Sequence, residues 1–96
     1  MLSQPEARRL AELLSGLFGL LPSASRVAVA RQMNTALGVL NACAAGRALD
    51  RQAVVTALMF LELEIRRLGR ENRGGEADSG ECERLWGEIE SIAGDL

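Results

Sequence analysis

The sequence contains no histidine, no tyrosine and no lysine. Nucleophilic catalysis of the usual kind needs an imidazole or a similar base beside the nucleophile, so the commonest classes of hydrolase are excluded. The two thiols are poor candidates, because Cys43 lies in an alanine-rich stretch and Cys82 stands between two glutamates. Both settings disfavour a reactive thiolate. We therefore predict that the protein is not an enzyme.

Groups that bind metals or cofactors are equally scarce. The two cysteines are far apart and have no metal-binding spacing, and the Glu-x-x-His motif of metal sites in helical bundles is missing. Glu62 and Glu64 are two positions apart on a predicted helix and point to different sides, which argues against a shared acid–base or metal site. Gly74-Gly75 leads into an acidic stretch, unlike a phosphate-binding loop. We predict no metal and no cofactor.

Long hydrophobic runs are also missing. The longest uncharged run, Gln32 to Gly46, is shorter than the roughly 20 residues that a membrane span needs. The apolar run after Arg8 and Arg9 has some features of a signal peptide, but Ser3 and Glu6 explain the same segment as a capped amphipathic helix. We expect a cytoplasmic protein that does not enter a membrane.

Charge is unevenly distributed along the chain. Residues 1–73 carry ten arginines against six acidic residues, and residues 74–96 carry one arginine against seven. The two parts therefore have net charges of +4 and −6. The exclusive use of arginine is typical of GC-rich bacterial coding, and the acidic part is suited to neutralising the basic part.

The most regular hydrophobic pattern lies between Asp50 and Asn72. Its apolar residues recur at alternating steps of four and three, which is the period of one helical face; they are Val54, Leu58, Leu61, Ile65 and Leu68. The first half of this stretch is apolar nearly all round, so we expect it to be covered on several sides. The pattern predicts a long central helix around which the others pack.

Two helices are predicted before it. The first runs over residues 4–21 and begins with a capping box between Ser3 and Glu6. The second begins with Ser23 or Ser25 as its N-cap and continues to about Ala45, where Gly46 provides the C-terminal cap. A short connection then leads into the central helix, so the second and third helices are expected to form an antiparallel hairpin.

The rest of the chain is predicted to be a tethered helix. Residues 74–80 are rich in glycine and small polar residues and are interpreted as a flexible linker. Residues 81–96 form an acidic amphipathic helix, and residues 1–73 form a three-helix core. The predicted fold is all-α, a small antiparallel bundle of about four helices that dimerises because the central helix has more apolar surface than its neighbours can cover.

Two groups of side chains are candidates for partner contacts. The first is the basic end of the third helix, where arginines follow one another closely and offer contacts to a partner or to nucleic acid phosphates; these are Arg66, Arg67, Arg70 and Arg73. The second is a set of apolar interface candidates on the third and last helices, namely Leu58, Leu61, Ile65, Leu85, Trp86, Ile89 and Ile92.

The function predicted from these features is that of a small helical module for protein–protein interaction, such as an adaptor, a chaperone or an inhibitor of a larger protein. It is expected to be a homodimer with one further, unidentified protein partner. The alternative is a nucleic-acid-binding regulator that uses the arginine face of the third helix. A third class, a structural subunit that polymerises, predicts a mass in solution beyond that of a dimer.

Overall fold

Four helices make up the chain in a computed structural model that describes residues 2–71 and 79–96. They are α1 (Gln4–Leu20), α2 (Ser23–Ala44), α3 (Arg51–Glu71) and α4 (Ser79–Ala93). No strand occurs in these residues, so the predicted all-α class is confirmed. Residues 74–78 of the predicted linker lie outside the described residues, and its last two residues, Ser79 and Gly80, belong to α4.

The start of α1 is fixed by the predicted capping box. The Ser3 hydroxyl accepts a hydrogen bond from the Glu6 amide at 3.2 Å, and the Ser3 amide donates to the Glu6 carboxylate at 2.9 Å. The same two contacts hold the pKa of Glu6 below its ordinary value, because they stabilise the charged carboxylate. The apolar face of α1 then repeats at helical spacing and is buried, through Ala7, Leu10, Ala11, Leu13, Leu14 and Leu17.

The connection between α2 and α3 depends on one left-handed residue. Gly46 has φ of 98°, its amide donates to the Cys43 carbonyl, and the next amide, that of Arg47, donates to the Ala42 carbonyl. These two bonds satisfy the last carbonyls of α2 and are the usual contacts of a glycine-capped helix end. The Asp50 carboxylate then accepts from the Ala53 amide at 3.3 Å, which makes Asp50 the N-cap of α3.

The prediction of a serine N-cap for α2 is wrong. Pro22 occupies the N-cap position without a side-chain hydrogen bond, and Ser25 is fully buried and bonded to α3 instead. Proline is compatible with a helix start because its fixed φ suits the first turn and its missing amide has no partner there anyway.

A pair of glycine substitutions tests this account of the α2–α3 connection. Gly46→Ala is expected to lower the free energy of unfolding by about 1–2 kcal/mol, because alanine is strained at positive φ. Gly38→Ala, in the interior of α2 with open space around the new methyl group, is expected to raise it by about 0.5–1 kcal/mol. Urea denaturation of both variants shows whether each substitution raises or lowers the free energy of unfolding. Equal effects of the two substitutions would contradict the proposed role of Gly46.

Packing places α1 and α2 in the middle of the molecule. α1 packs against α2 and α4, and α2 packs against α1 and α3, whereas α3 and α4 do not pack against each other in the described residues. The prediction that the other helices surround α3 is therefore wrong: α3 is an edge helix. One continuous core joins all four helices, with Leu14, Leu40, Leu61 and Ile89 among its fully buried members.

The acidic helix α4 docks on its own chain. Its face of Cys82, Leu85 and Ile89 is buried, and Glu88 forms an exposed ion pair with Arg9 of α1 at 3.3 Å. None of the helices in the described ranges combines the length and apolar character that crossing a bilayer requires.

Candidate functional site

The outer face of α3 exposes three large apolar side chains. Met59, Phe60 and Leu63 are 61%, 41% and 64% exposed. Met59 and Phe60 are adjacent, and Leu63 follows them by four and three positions, which is the spacing of neighbours on a helix surface. The three side chains therefore form one continuous patch on the side of the helix opposite its buried residues Val54 and Leu61. The expectation that this half of α3 is covered on several sides is not met, because among the described helices only α2 packs against it.

A groove with a volume of about 360 Å³ runs between α3 and α4. It exists because these two helices each pack on a different inner helix and leave the space between them open. Most of its lining is apolar and consists of Val55, Leu58, Met59, Trp86, Ile89, Ala93 and Leu96. Met59 belongs both to this groove and to the outer face of α3.

Charged side chains stand at the edges of the groove. Arg51 bridges one end by donating from Nε to the Leu96 carbonyl at 2.8 Å, which ties the start of α3 to the residues after α4. Glu62 and Glu90 also line it. Glu62 is paired with Arg66 at 2.8 Å, so the groove has an apolar floor and a rim of both charge signs.

The predicted interface residues separate into three environments. Leu58 and Trp86 are brought together in the α3–α4 groove, whose lining also includes the fully buried Ile89. Leu61 and Leu85 are buried in the core and are not accessible to a partner. Ile65 and Ile92 are half-buried and pack against the core. The sequence pattern identified the apolar faces of both helices, but it did not distinguish core positions from groove positions.

The predicted arginine cluster is largely engaged within α3. Arg66 pairs with Glu62, and the half-buried Arg67 pairs with Glu64. Arg73 and the side chain of Arg70 lie outside the part of the chain that the structure describes. The two described arginines therefore have carboxylate partners one helical turn away, and their charge toward an external phosphate is reduced.

A buried polar network connects the start of α2 with α3. The fully buried Ser25 hydroxyl donates to Glu64 Oε1 at 2.7 Å, and Arg67 Nε donates to the same oxygen at 3.1 Å. The Glu64 side chain is only 12% exposed. The hydrogen bond from Arg67 and, to a lesser extent, that from Ser25 hold the pKa of Glu64 below its ordinary value despite this burial.

Sequence reasoning missed this network. Glu64 was interpreted only as pointing away from Glu62, yet it follows Ala57 and Leu61 and precedes Leu68 at steps of four, three and four. That spacing places Glu64 on the buried face of α3, so the sequence contained a signal that this carboxylate is buried. Because Ser25 is inaccessible, the network is structural: it satisfies polar groups at a helix contact and offers no exposed nucleophile.

A second groove, between α1 and α2, is larger at about 470 Å³ but has a different character. Its lining includes Arg8, Glu12, Ser15 and Asn41, and it has few apolar groups to desolvate. Within the described residues, no three carboxylate or thiol side chains converge in an arrangement that could hold a metal ion. The α3–α4 groove is therefore the best candidate site, because ligand-binding clefts are mostly apolar with a few polar groups.

Comparison with known proteins finds nothing similar: no protein family, no curated protein and no solved structure matches this chain.

Proposed function

We propose that the protein is a non-enzymatic module for protein–protein interaction and that the α3–α4 groove is its binding site. The proposal rests on one observation: an apolar groove of about 360 Å³ flanked by two helices that do not pack against each other. An adaptor, a chaperone or an inhibitor of a larger protein would use such a groove.

The occupant that fits this groove is a single amphipathic helix of another protein. A helix binds in a groove through apolar side chains spaced three and four residues apart, and Leu58, Met59 and Trp86 offer them a continuous apolar surface. Glu90, which is exposed at the groove, favours a partner with lysine or arginine beside its apolar stripe. Trp86 supplies the large aromatic surface that is common at the centre of binding sites.

The nucleic-acid alternative has weaker support. It needs Arg66 and Arg67 to meet phosphates, but both are paired with glutamates of the same helix. The apolar patch of Met59, Phe60 and Leu63 lies on the same outer face and would stay exposed to water in such a complex.

The proposal also includes the orientation of the helices and the cellular compartment. We infer an antiparallel bundle from two contacts between helices. Ser25 near the start of α2 contacts Glu64 in the last third of α3, and Arg9 early in α1 contacts Glu88 late in α4. We also propose a cytoplasmic, bacterial setting; Cys43 and Cys82 are buried and form no disulfide bond in the described residues, which supports a reducing compartment.

Substitutions in and beside the groove test its role in binding. The full chain is used to capture partners from a cell lysate treated with nuclease, and the captured protein is purified. Ala93→Arg, which fills the groove, is expected to weaken binding of that protein by about tenfold or more. Glu90→Arg is expected to weaken it less, by removing a charge at the groove edge. The emission of Trp86, the only tryptophan, should shift when the partner binds.

Glu83→Arg is the matched control, because it makes the same charge change at an exposed position of α4 that does not line the groove. It should leave the affinity within about twofold. Equal affinity of the wild type and the Ala93→Arg variant, both folded by circular dichroism, would refute the groove as the binding site. Capture of nucleic acid alone, lost on nuclease treatment, would favour the alternative function.

A further inference from the structure

We propose that the outer face of α3 is a self-association surface that pairs with the same face of a second copy of this chain around a twofold axis. This goes beyond the proposed function, because it uses the patch of Met59, Phe60 and Leu63 rather than the groove and requires no other protein. Isologous pairing of one patch with itself is the commonest arrangement in soluble oligomers.

The position of α3 at the edge of the bundle makes such pairing possible. Within the described residues, α3 packs only on α2, and the opposite side of α3 has no neighbouring helix. The helix has 21 residues, which corresponds to a length of about 30 Å. A second α3 can therefore lie along the first for most of its length without meeting another part of the molecule.

Charge on this face is compatible with a second copy. From Gln52 through Thr56 to Leu63 the outer face carries no charged side chain. The basic residues that follow, Arg66 and Arg67, have their charges balanced by Glu62 and Glu64. The described part of this face, from Gln52 to Arg67, thus has no net charge to select a strongly acidic or basic partner, and two copies meet there without repulsion between like charges.

An antiparallel arrangement suits the positions of these residues best. If the twofold axis passes close to residue 61, Met59 faces Leu63 of the partner subunit, and the reverse contact is made by symmetry. Arg66 then lies opposite Thr56 of the partner subunit rather than opposite another arginine. The antiparallel orientation also places the two helix dipoles in opposition, which is the more favourable arrangement.

The small area of the patch limits the affinity expected between two copies. The three exposed side chains offer on the order of 300 Å² of surface, at the low end for the largest patch of a monomer, whereas a standard interface buries about 800 Å² on each partner. Contacts of the flanking residues along α3 must add the rest. Interfaces of this small size are typical of transient complexes, so we expect a reversible dimer that dissociates at low micromolar concentration rather than a permanent one.

The second copy would also complete the groove. Met59 lines the groove and is part of the patch, so Leu63 of the partner subunit, packed on Met59, would extend the α3 wall of the groove. Self-association and partner binding would then occur side by side on α3.

Sedimentation equilibrium of the full chain, from about 1 to 500 µM, tests the proposal. The wild-type mass should rise from that of a monomer to that of a dimer and no further. Leu63→Glu should remain monomeric over this range. Val27→Glu is the matched control, because Val27 is also an apolar residue, 78% exposed, but lies on α2; it should dimerise as the wild type does. A wild type that stays monomeric, or a Leu63→Glu variant that still dimerises, would overturn the proposal. A wild-type mass that rises beyond that of a dimer would also overturn it, because it would indicate an open assembly instead of a twofold pair.

Disulfide trapping tests the antiparallel orientation. Thr56→Cys and Arg66→Cys are made separately; the natural Cys43 and Cys82 are both buried. Under mild oxidation each variant alone should give little covalent dimer, and a mixture of the two should give several times more. A parallel pair would give the reverse result. Neither experiment uses another protein, so failure here would leave the groove proposal to stand or fall on its own tests.

Discussion

Replacing Leu14 by alanine is expected to lower the free energy of unfolding by about 3–4 kcal/mol. Leu14 is fully buried on α1, the helix that packs against both α2 and α4, and it belongs to the core shared by all four helices. The substitution removes three carbon atoms and leaves a cavity that the surrounding side chains fill only in part. Urea denaturation followed by circular dichroism measures the change.

The matched control is Leu63→Ala, which removes the same atoms from an exposed side chain. At about 1 µM, where the proposed dimer is dissociated, it should change the free energy of unfolding by less than about 0.5 kcal/mol. Comparable losses for the two variants would contradict the assignment of α1 as an inner helix and α3 as an edge helix.

Replacing Glu64 by alanine is expected to cost about 2–3 kcal/mol. The change removes the acceptor of the Ser25 hydroxyl, which is fully buried, and also removes a carboxylate that pairs with Arg67. A buried polar group that loses its partner retains its full cost of desolvation. Glu62→Ala is the control: it removes an exposed ion pair with Arg66 from the same helix and should cost less than about 0.5 kcal/mol.

The stabilising effect of Glu64 should also depend on pH. Because its pKa in the folded protein is below that of the unfolded chain, the carboxylate stabilises the fold fully above the unfolded value of about 4.3. This contribution is lost as the pH falls through the folded pKa. The difference in stability between the wild type and Glu64→Gln should therefore shrink below about pH 4. A difference that stays constant from pH 7 to pH 3 would show that the charge on Glu64 is not what stabilises the contact.

The helices themselves were predictable because their signals are local. The capping box at Ser3, the left-handed glycine at Gly46 and the cap at Asp50 each fix a helix end through contacts within a few residues. The buried apolar residues of α2 likewise recur at steps of four and three, a pattern visible in the sequence alone; they are Val29, Met33, Ala36, Leu40 and Cys43. No information about distant parts of the chain is needed for either result.

The arrangement of the helices was not predictable in the same way. An apolar stripe shows that a helix has a buried face, but it does not show which helix covers that face or whether a further apolar surface remains open. The apolar first half of α3 predicted a central helix, whereas the structure places α3 at the edge and leaves Met59, Phe60 and Leu63 in water. The groove arises from the gap between α3 and α4, so it depends on packing that no single helix encodes.

The docking of α4 on α1 has a consequence for how the chain folds. The contacts of α1 with α2 and of α2 with α3 join helices that are consecutive in sequence, but Arg9 and Glu88 are 79 positions apart. The first three helices can therefore pack through contacts between neighbours in sequence before α4 docks. During that interval the side of α1 that receives α4 is uncovered. Docking of α4 closes the longest loop among the helix contacts of the described residues, so we expect this step to be the slowest part of folding and the point at which two partly folded chains can exchange helices.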